Sequence, residues 1–412
     1  MKKYLIITYD VCNMGGGQLF VLRRANHLRK IGYDVSIVVT YHTDYFPLEE
    51  QFKGYPLYLI PEMGIPSVKF SKKKICKIIT DLLNKIGDST DLLIESHTLT
   101  TIDWAELVAS RCGAKHLAYP LAEPKVSEYR FNPGLKIFES KLKRGEFYGC
   151  TSTSLKEIFD RDNLPANYIN IGYDENEMFD KCEPAIEVRK ESGVYIITTV
   201  TRLDKTYVEP LIDNTALLAN KYPQQKFILL IAGGSKTPGR EEYLKSKYCN
   251  EVLKIPNLNI VYTGYIEKLG KDIFEVSDVF VGMGTAVINA ISLKCVTLNI
   301  DPRDGMQYTS GFFGIDTNNF AYSESGKVYK IVDKLEEAYL MKEVDKQRFS
   351  MIGRKLYEEE FKYDTCMRKL DNAINSLKPV SEESIPNVPC LYRIYVYVGT
   401  MIKKVLAKSF MC

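Results

Sequence analysis

Three places in the sequence combine residue types and spacing that could do chemistry. In Val200-Thr-Arg-Leu-Asp-Lys205, two cations directly follow an apolar run. Arginine offers a planar fork to phosphate oxygens, and lysine adds a compact point charge. Arg202 and Lys205 together could neutralise a diphosphate as its bond to a sugar breaks. The same residues also suit a solvated loop in which Asp204 is the partner. The second place is Gly15-Gly16-Gly17, just ahead of a helix-period segment. Backbone N–H groups at a helix start attract an anion or a sugar hydroxyl. A tight turn that needs only glycine's φ freedom would use the same residues. The third is Ser277–Ile291, where Gly282 and Gly284 break an apolar strand before a new helix. Thr285 is placed to cap that helix, and Asn289, about one turn inside, could reach a ribose hydroxyl. A purely structural strand–turn–helix with a solvated Asn289 is the alternative.

Such residues work only if the chain positions them. Short apolar runs alternate with amphipathic segments, the signature of parallel βαβ units. Strands are expected at Tyr4–Thr8, Val35–Val39, Leu57–Ile60, Leu92–Glu95, His116–Tyr119 and Gly149–Thr151. A second series is expected at Tyr195–Val200, Phe227–Ala232, Leu258–Thr263, Val279–Val281 and Val296–Asn299. Helices are expected over Gln18–Lys30, Val208–Ala219, Ile288–Leu293 and about Leu356–Leu377, from apolar spacing and stop signals. The acidic, aperiodic stretch Tyr173–Ser192 reads as a linker. These patterns predict an α/β protein of two Rossmann-like domains facing one another across a cleft. The domains span residues 1–175 and 190–355, followed by a helix at 356–378 and a tail at 379–412. In such sheets ligands bind outside the carboxyl ends of the strands.

Composition narrows the function classes. A chain of 412 residues exceeds the usual limit of one core. A net charge of +3 is too small to imply a nucleic-acid partner. The ten cysteines contain no C-x-x-C, which argues against a disulfide framework and a zinc site and suits a reducing cytosol. The four histidines show no metal-ligand spacing, so no metal is expected. The opening apolar run ends at Tyr9-Asp10, too short for a signal peptide and right for a first strand. No apolar stretch reaches transmembrane length, so a cytoplasmic protein is expected. Basic segments at Lys69–Lys77 and Lys141–Arg144 raise the question of a membrane surface. The tail from Pro389 does so more pointedly. On a helix, its Leu391, Ile394, Val398, Ile402 and Val405 form one face, with lysines toward the other and tyrosines near the boundary. The same helix could equally pack back onto the protein.

The order of motifs resembles the GT-B glycosyltransferases of family 4. GGGQLFVLRRANHLRKIGYDVSIV resembles that family's Gly-Gly loop with its first helix and next strand, and CTSTSLKEIFDRDNLPANYINIGYDENEMF resembles its segment before the linker. VTRLDK resembles the phosphate motif, FILLIAGGS the motif that contains Gly233, and VYTGYIEKLGKDIFEVSDVFVGMGTAVINAIS the second glycine turn. The resemblance runs over roughly residues 4–375. It implies a retaining transferase, free of metal and other cofactors, that moves a sugar from a nucleotide diphosphate sugar to a glycan or lipid-linked acceptor in cell-surface polysaccharide synthesis. It implies donor contacts at Gly15, Gly16, Gly17, Gly233, Gly282, Gly284, Thr285 and Asn289, with Arg202 and Lys205 on the diphosphate.

The sequence departs from that family in two ways. Of two glutamates usual around the second glycine turn, one position is Asn289 and the other falls on Val281. The family's histidine in the first domain is absent from His116-Leu-Ala-Tyr-Pro-Leu-Ala-Glu123, which leaves Tyr119 and Glu123 nearest the expected cleft on the acceptor side. His97, which ends the preceding strand, is the candidate catalytic histidine, with Glu95 beside it. Two alternatives keep the fold: a nucleotide-sugar epimerase, and a non-catalytic homologue in a polysaccharide assembly complex.

Overall fold

A computed structural model describes residues 2–12, 16–43, 49–87, 89–121, 134–175, 188–249, 254–266, 269–320 and 323–381. The chain divides into two units. Unit 1 is Met1–Asn170 together with Met367–Cys412, and unit 2 is the continuous stretch Ile171–Cys366.

Unit 1 alternates β1 (Lys3–Thr8), α1 (Gly16–Lys30), β2 (Asp34–Val39), α2 (Glu49–Phe52), β3 (Leu57–Leu59), α3 (Lys72–Ile86), β4 (Leu93–Ser96), α4 (Leu99–Cys112) and β5 (Lys115–Ala118), followed by α5 (Gly134–Lys143) and α6 (Ser154–Phe159). The strands form one parallel sheet in the order β3-β2-β1-β4-β5. β1 is KYLIIT and is buried from Tyr4 to Thr8, as a strand covered on both faces requires. Helix ends follow local chemistry. Thr98 and Thr101 form a capping box at the start of α4, and Gly113 closes it in the left-handed conformation.

Unit 2 contains β6 (Val194–Val200), α7 (Val208–Lys221), β7 (Lys226–Ala232), α8 (Arg240–Lys247), β8 (Leu258–Tyr262), α9 (Asp272–Glu275), β9 (Val279–Gly282), α10 (Thr285–Ser292), β10 (Thr297–Asp301), β11 (Tyr308–Phe312), β12 (Tyr329–Lys330), α11 (Ile331–Leu340) and α12 (Glu343–Leu356). A π turn (Tyr357–Phe361) follows, and α13 (Tyr363–Ser376) belongs to unit 1 from Met367 onward. The sheet order is β12-β11-β10-β9-β6-β7-β8. β10, β9, β6, β7 and β8 pair in parallel, while β11 and β12 run antiparallel at one edge. Alternate residues of β7 enter two apolar cores, Phe227, Leu229 and Ile231 on one face and Leu230 and Ala232 on the other.

Both sheets reverse strand order once, between β1 and β4 in unit 1 and between β6 and β9 in unit 2. At such a switch point the loops leave in opposite directions and open a crevice.

Several expectations need correction. Gly149–Thr151 is no strand. Gly149 makes a single bridge to Tyr168, and a Cβ on Gly149 would lie 2.5 Å from the Ser154 side chain. The chain is therefore pressed against the start of α6 and turns there. The helix expected over 356–378 is broken, because Lys362 adopts an extended conformation after the π turn. The Lys69–Lys77 segment lies largely in α3, whose Ile75, Ile79, Leu82 and Ile86 face the unit 1 core while Lys72, Lys73, Lys74 and Lys77 remain exposed. Lys141 is not a surface cation, since it is fully buried between Glu106 and Glu146. The tail read as amphipathic, from residue 389, lies outside the described residues. Among those residues, no helix is long and apolar enough to cross a membrane.

Candidate functional site

The loop after β6 carries Arg202 and Lys205. Its backbone is tied to the neighbouring strand end, where Thr201 N–H donates to Ala232 O at 2.9 Å and Leu203 N–H to Gly234 O at 2.9 Å. Gly233 makes this approach possible. Its φ is +139°, and a Cβ there would lie 2.0 Å from the Thr201 carbonyl oxygen. Arg202 is exposed and pairs with Asp204 at 3.3 Å, so the salt-bridge partner allowed by the sequence is present. Lys205 is half-buried. Burial first, and then the neighbouring Arg202 charge, push its ammonium below its usual range, with Asp204 opposing. Two cations therefore share one carboxylate on this loop.

On the other side of the switch point, β9 ends at Gly282. A Cβ on Gly282 would come 2.7 Å from the Phe280 ring. The helix cap differs from expectation. Gly284, not Thr285, is the N-cap of α10, with φ +65° and no side-chain cap bond, and Thr285 is the first helical residue. No acid occupies the first turn of α10. Asn289 is only 2% exposed, and among the described residues its Oδ1 has no hydrogen-bond partner. A buried unpaired amide oxygen is costly, and a ligand donor would satisfy it.

In unit 1, α1 begins at Gly16, also without an acid in its first turn. Gly16 is exposed and Gly17 half-buried, while Gly15 lies outside the described residues, as does Glu123. His97 follows β4 and is 1% exposed. Its Nε2 donates to Glu95 Oε1 at 2.9 Å, and its Nδ1 has no partner among the described residues. Glu95 is enclosed by protein donors. Its Oε2 accepts from Arg24 Nε at 3.0 Å and from the Tyr4 hydroxyl. Burial alone would raise the Glu95 carboxyl, but Arg24 and then His97 and Tyr4 outweigh it and bring it down to about 2. Tyr119 is fully buried, and its hydroxyl donates to Ile169 O at 2.6 Å. Glu95 and Tyr119 thus point into the protein, and His97 keeps one ring nitrogen uncommitted.

Arg240 was not singled out by the sequence reading. At the start of α8, its Nε donates to Leu203 O at 3.2 Å and its Nη2 to Glu209 Oε1 at 2.6 Å. It therefore braces the Arg202–Lys205 loop against α7 and α8. The available signal was Pro-Gly-Arg at a helix start one turn beyond the β7 glycines.

No family model matches the sequence, and no curated protein is significantly similar to it. Solved structures are similar in fold. The Anabaena protein HepE, in complex with UDP, superposes with a TM-score of 0.63 at 14% identity, over 92% of this chain and 100% of that one. A glycosyltransferase from Rickettsia africae gives 0.62 at 14% identity, over 94% and 100% of the two chains. The lipopolysaccharide outer core galactosyltransferase WaaB, in its apo form, gives 0.57 at 11% identity, over 91% and 97%. The fold is thus the α/β GT-B fold, with two sheets rich in parallel strands.

Proposed function

We propose that this chain is a glycosyltransferase that moves a sugar from a nucleotide diphosphate sugar to a glycan or lipid-linked acceptor in cell-surface polysaccharide synthesis. HepE, the fold neighbour, is described with UDP and with UDP-glucose, which favours a donor of that kind. The observation that carries the reading is the Arg202–Lys205 loop. It stands at the β6/β9 switch point with more positive charge than its one carboxylate balances. A bound diphosphate would supply the missing negative charge and offset the burial and Arg202 repulsion that act on the Lys205 ammonium.

In this reading Arg202 and Lys205 stabilise the departing diphosphate, and Thr285 brings its backbone N–H toward it at the start of α10. Gly282 and Gly284 let the chain approach it closely, the Gly284 N–H being held by Phe320 O at 2.9 Å. Asn289 Oδ1 accepts from a ribose hydroxyl, and Gly233 acts by letting the cationic loop close on β7. His97 acts through its open Nδ1, and Gly16 and Gly17 offer backbone contacts. The transfer is retaining and needs no metal, as the sequence resemblance implies. The protein works at the inner face of the membrane, docked through the amphipathic tail. Flotation with anionic liposomes, comparing the full chain with one ending at Lys378, tests that last point, and equal flotation removes it.

Calorimetry with nucleoside diphosphates tests the donor site. UDP is expected to bind, and Arg202→Ala/Lys205→Ala to weaken it at least tenfold. Unchanged binding in the double variant, or none at millimolar UDP, would refute the proposal. A non-catalytic role is the second reading, favoured by the uncharged Asn289. It wins if UDP binds and no panel of UDP-sugars is ever turned over or hydrolysed.

A further inference from the structure

At the carboxyl edge of the unit 1 sheet, two tyrosines stand in solvent. Tyr9 directly follows β1 and is 47% exposed, and Tyr41 follows β2 and is 43% exposed. Their rings stack 5.6 Å apart at 12°, within the range of a favourable offset pair. The pair is held from beneath. The Tyr9 carbonyl accepts the N–H groups of Thr40 and Tyr41, each at 2.9 Å, and the Thr40 hydroxyl at 3.1 Å. Both strand-end loops are thereby fixed before any ligand arrives.

Polar groups surround this surface. Asp10, next to Tyr9, is 6% exposed and accepts from Gln18 Nε2 at 2.8 Å. His42, next to Tyr41, is exposed, with Nδ1 3.0 Å from Cys12 Sγ. The start of α1 at Gly16 belongs to the same edge. A rigid, flat aromatic surface with hydrogen-bonding groups at its margin matches a pyranose ring, which has an apolar C–H face and a rim of hydroxyls. An acyl chain would gain nothing from that polar margin.

We propose that the stacked Tyr9–Tyr41 pair is a sugar-binding platform that receives a pyranose of the acceptor. The assignment deepens the transferase reading and depends on it only for the word acceptor. It concerns unit 1 residues that no donor contact proposed above uses.

The test is full-length protein on a printed glycan array with UDP present, with UDP affinity and unfolding midpoint measured separately. The wild type is expected to bind a subset of the glycans. Tyr9→Ala/Tyr41→Ala should weaken that binding about tenfold, about 1.4 kcal/mol, with UDP affinity and midpoint unchanged. Tyr9→Phe/Tyr41→Phe, which keeps the rings, should retain it. The proposal is overturned if the wild type binds no glycan, or if the alanine variant binds as the wild type does. It is also overturned if the alanine variant loses UDP instead, which would assign the rings to the nucleobase. Failure of the wild type to bind UDP would sink the donor reading alone, because glycan binding is scored independently.

Discussion

Arg24 and Asp371 stand 347 positions apart in the chain and meet at 2.7 Å. Arg24 is fully buried, and the same guanidinium holds Glu95 at 3.0 Å and the Tyr4 hydroxyl at 2.9 Å. Asp371 also receives His27 at 2.7 Å. Its carboxyl is pushed down, because the His27 bond and the Arg24 charge outweigh burial. The charges of α1, β4 and α13 are thus joined through one arginine.

Removing Arg24 would strand Glu95 as a buried charge. Arg24→Met is expected to destabilise the protein by about 3–5 kcal/mol, the cost of breaking a buried pair from one side. Glu95→Leu added to it should recover part of that loss. Urea unfolding followed by circular dichroism measures both.

Acid should act first through His116. Its Nδ1 donates to Glu106 Oε2 at 2.7 Å, and its Nε2 lies 2.7 Å from the Ser96 hydroxyl, an arrangement for a neutral ring. Burial, and then the Lys141 charge, bring it down to about 4 against the pull of Glu106. Because the folded pKa lies below the unfolded value of 6.5, this contribution is complete above that value and is lost as pH falls toward 4. The loss is on the order of 3 kcal/mol. Glu95 follows, its contribution fading between about 4.5 and about 2. Unfolding midpoints from pH 7 to pH 4 should fall, and His116→Gln should flatten that slope.

Arg240 is expected to act on the nucleotide without touching it. Arg240→Ala frees the Leu203 carbonyl and leaves Glu209 to Lys247 and Tyr248, so the cationic loop loses its brace. UDP affinity should fall roughly three- to tenfold, of the order of one net hydrogen bond. Arg240→Lys, which cannot make both bonds in one plane, should restore only part of it. Calorimetry of the two variants against wild type reads the effect, and equal affinity in all three would exclude a bracing role.

Asn289 should show opposite effects on stability and binding. Asn289→Leu removes a buried oxygen that lacks a partner, and should stabilise the unliganded protein by about 1–3 kcal/mol. The same change should weaken UDP, because the acceptor for its ribose is gone. Thermal unfolding with and without UDP measures both, and a variant that is less stable and binds normally would refute this role.

Much of the fold was legible because parallel strands announce themselves. Runs such as Tyr195–Val200 and Phe227–Ala232 are apolar on both faces, and the structure extends each by one residue. β11 and β12 escaped because one is interrupted by Gly311 and the other has two residues. The Arg202–Lys205 loop could be read from its cations alone, and so could its competition with Asp204. The surroundings of His97 and Glu95 could not, because their partners Arg24 and Tyr4 lie on other elements. A basic run also misled. Lys141 looks like a surface lysine in the sequence, but it is buried between Glu106 and Glu146, and Glu106, on α4, lies beyond local view.

The return of the chain to unit 1 has a consequence for synthesis. The Arg24–Asp371 pair cannot form until α13 has been made. At about 5–20 residues per second, that is roughly 20–70 s after Arg24 is translated. During that interval unit 2, continuous in sequence, can fold as it emerges, while unit 1 waits for α13. Unit 1, begun before unit 2, is therefore completed after it, and that waiting interval is when a chaperone would have most to hold.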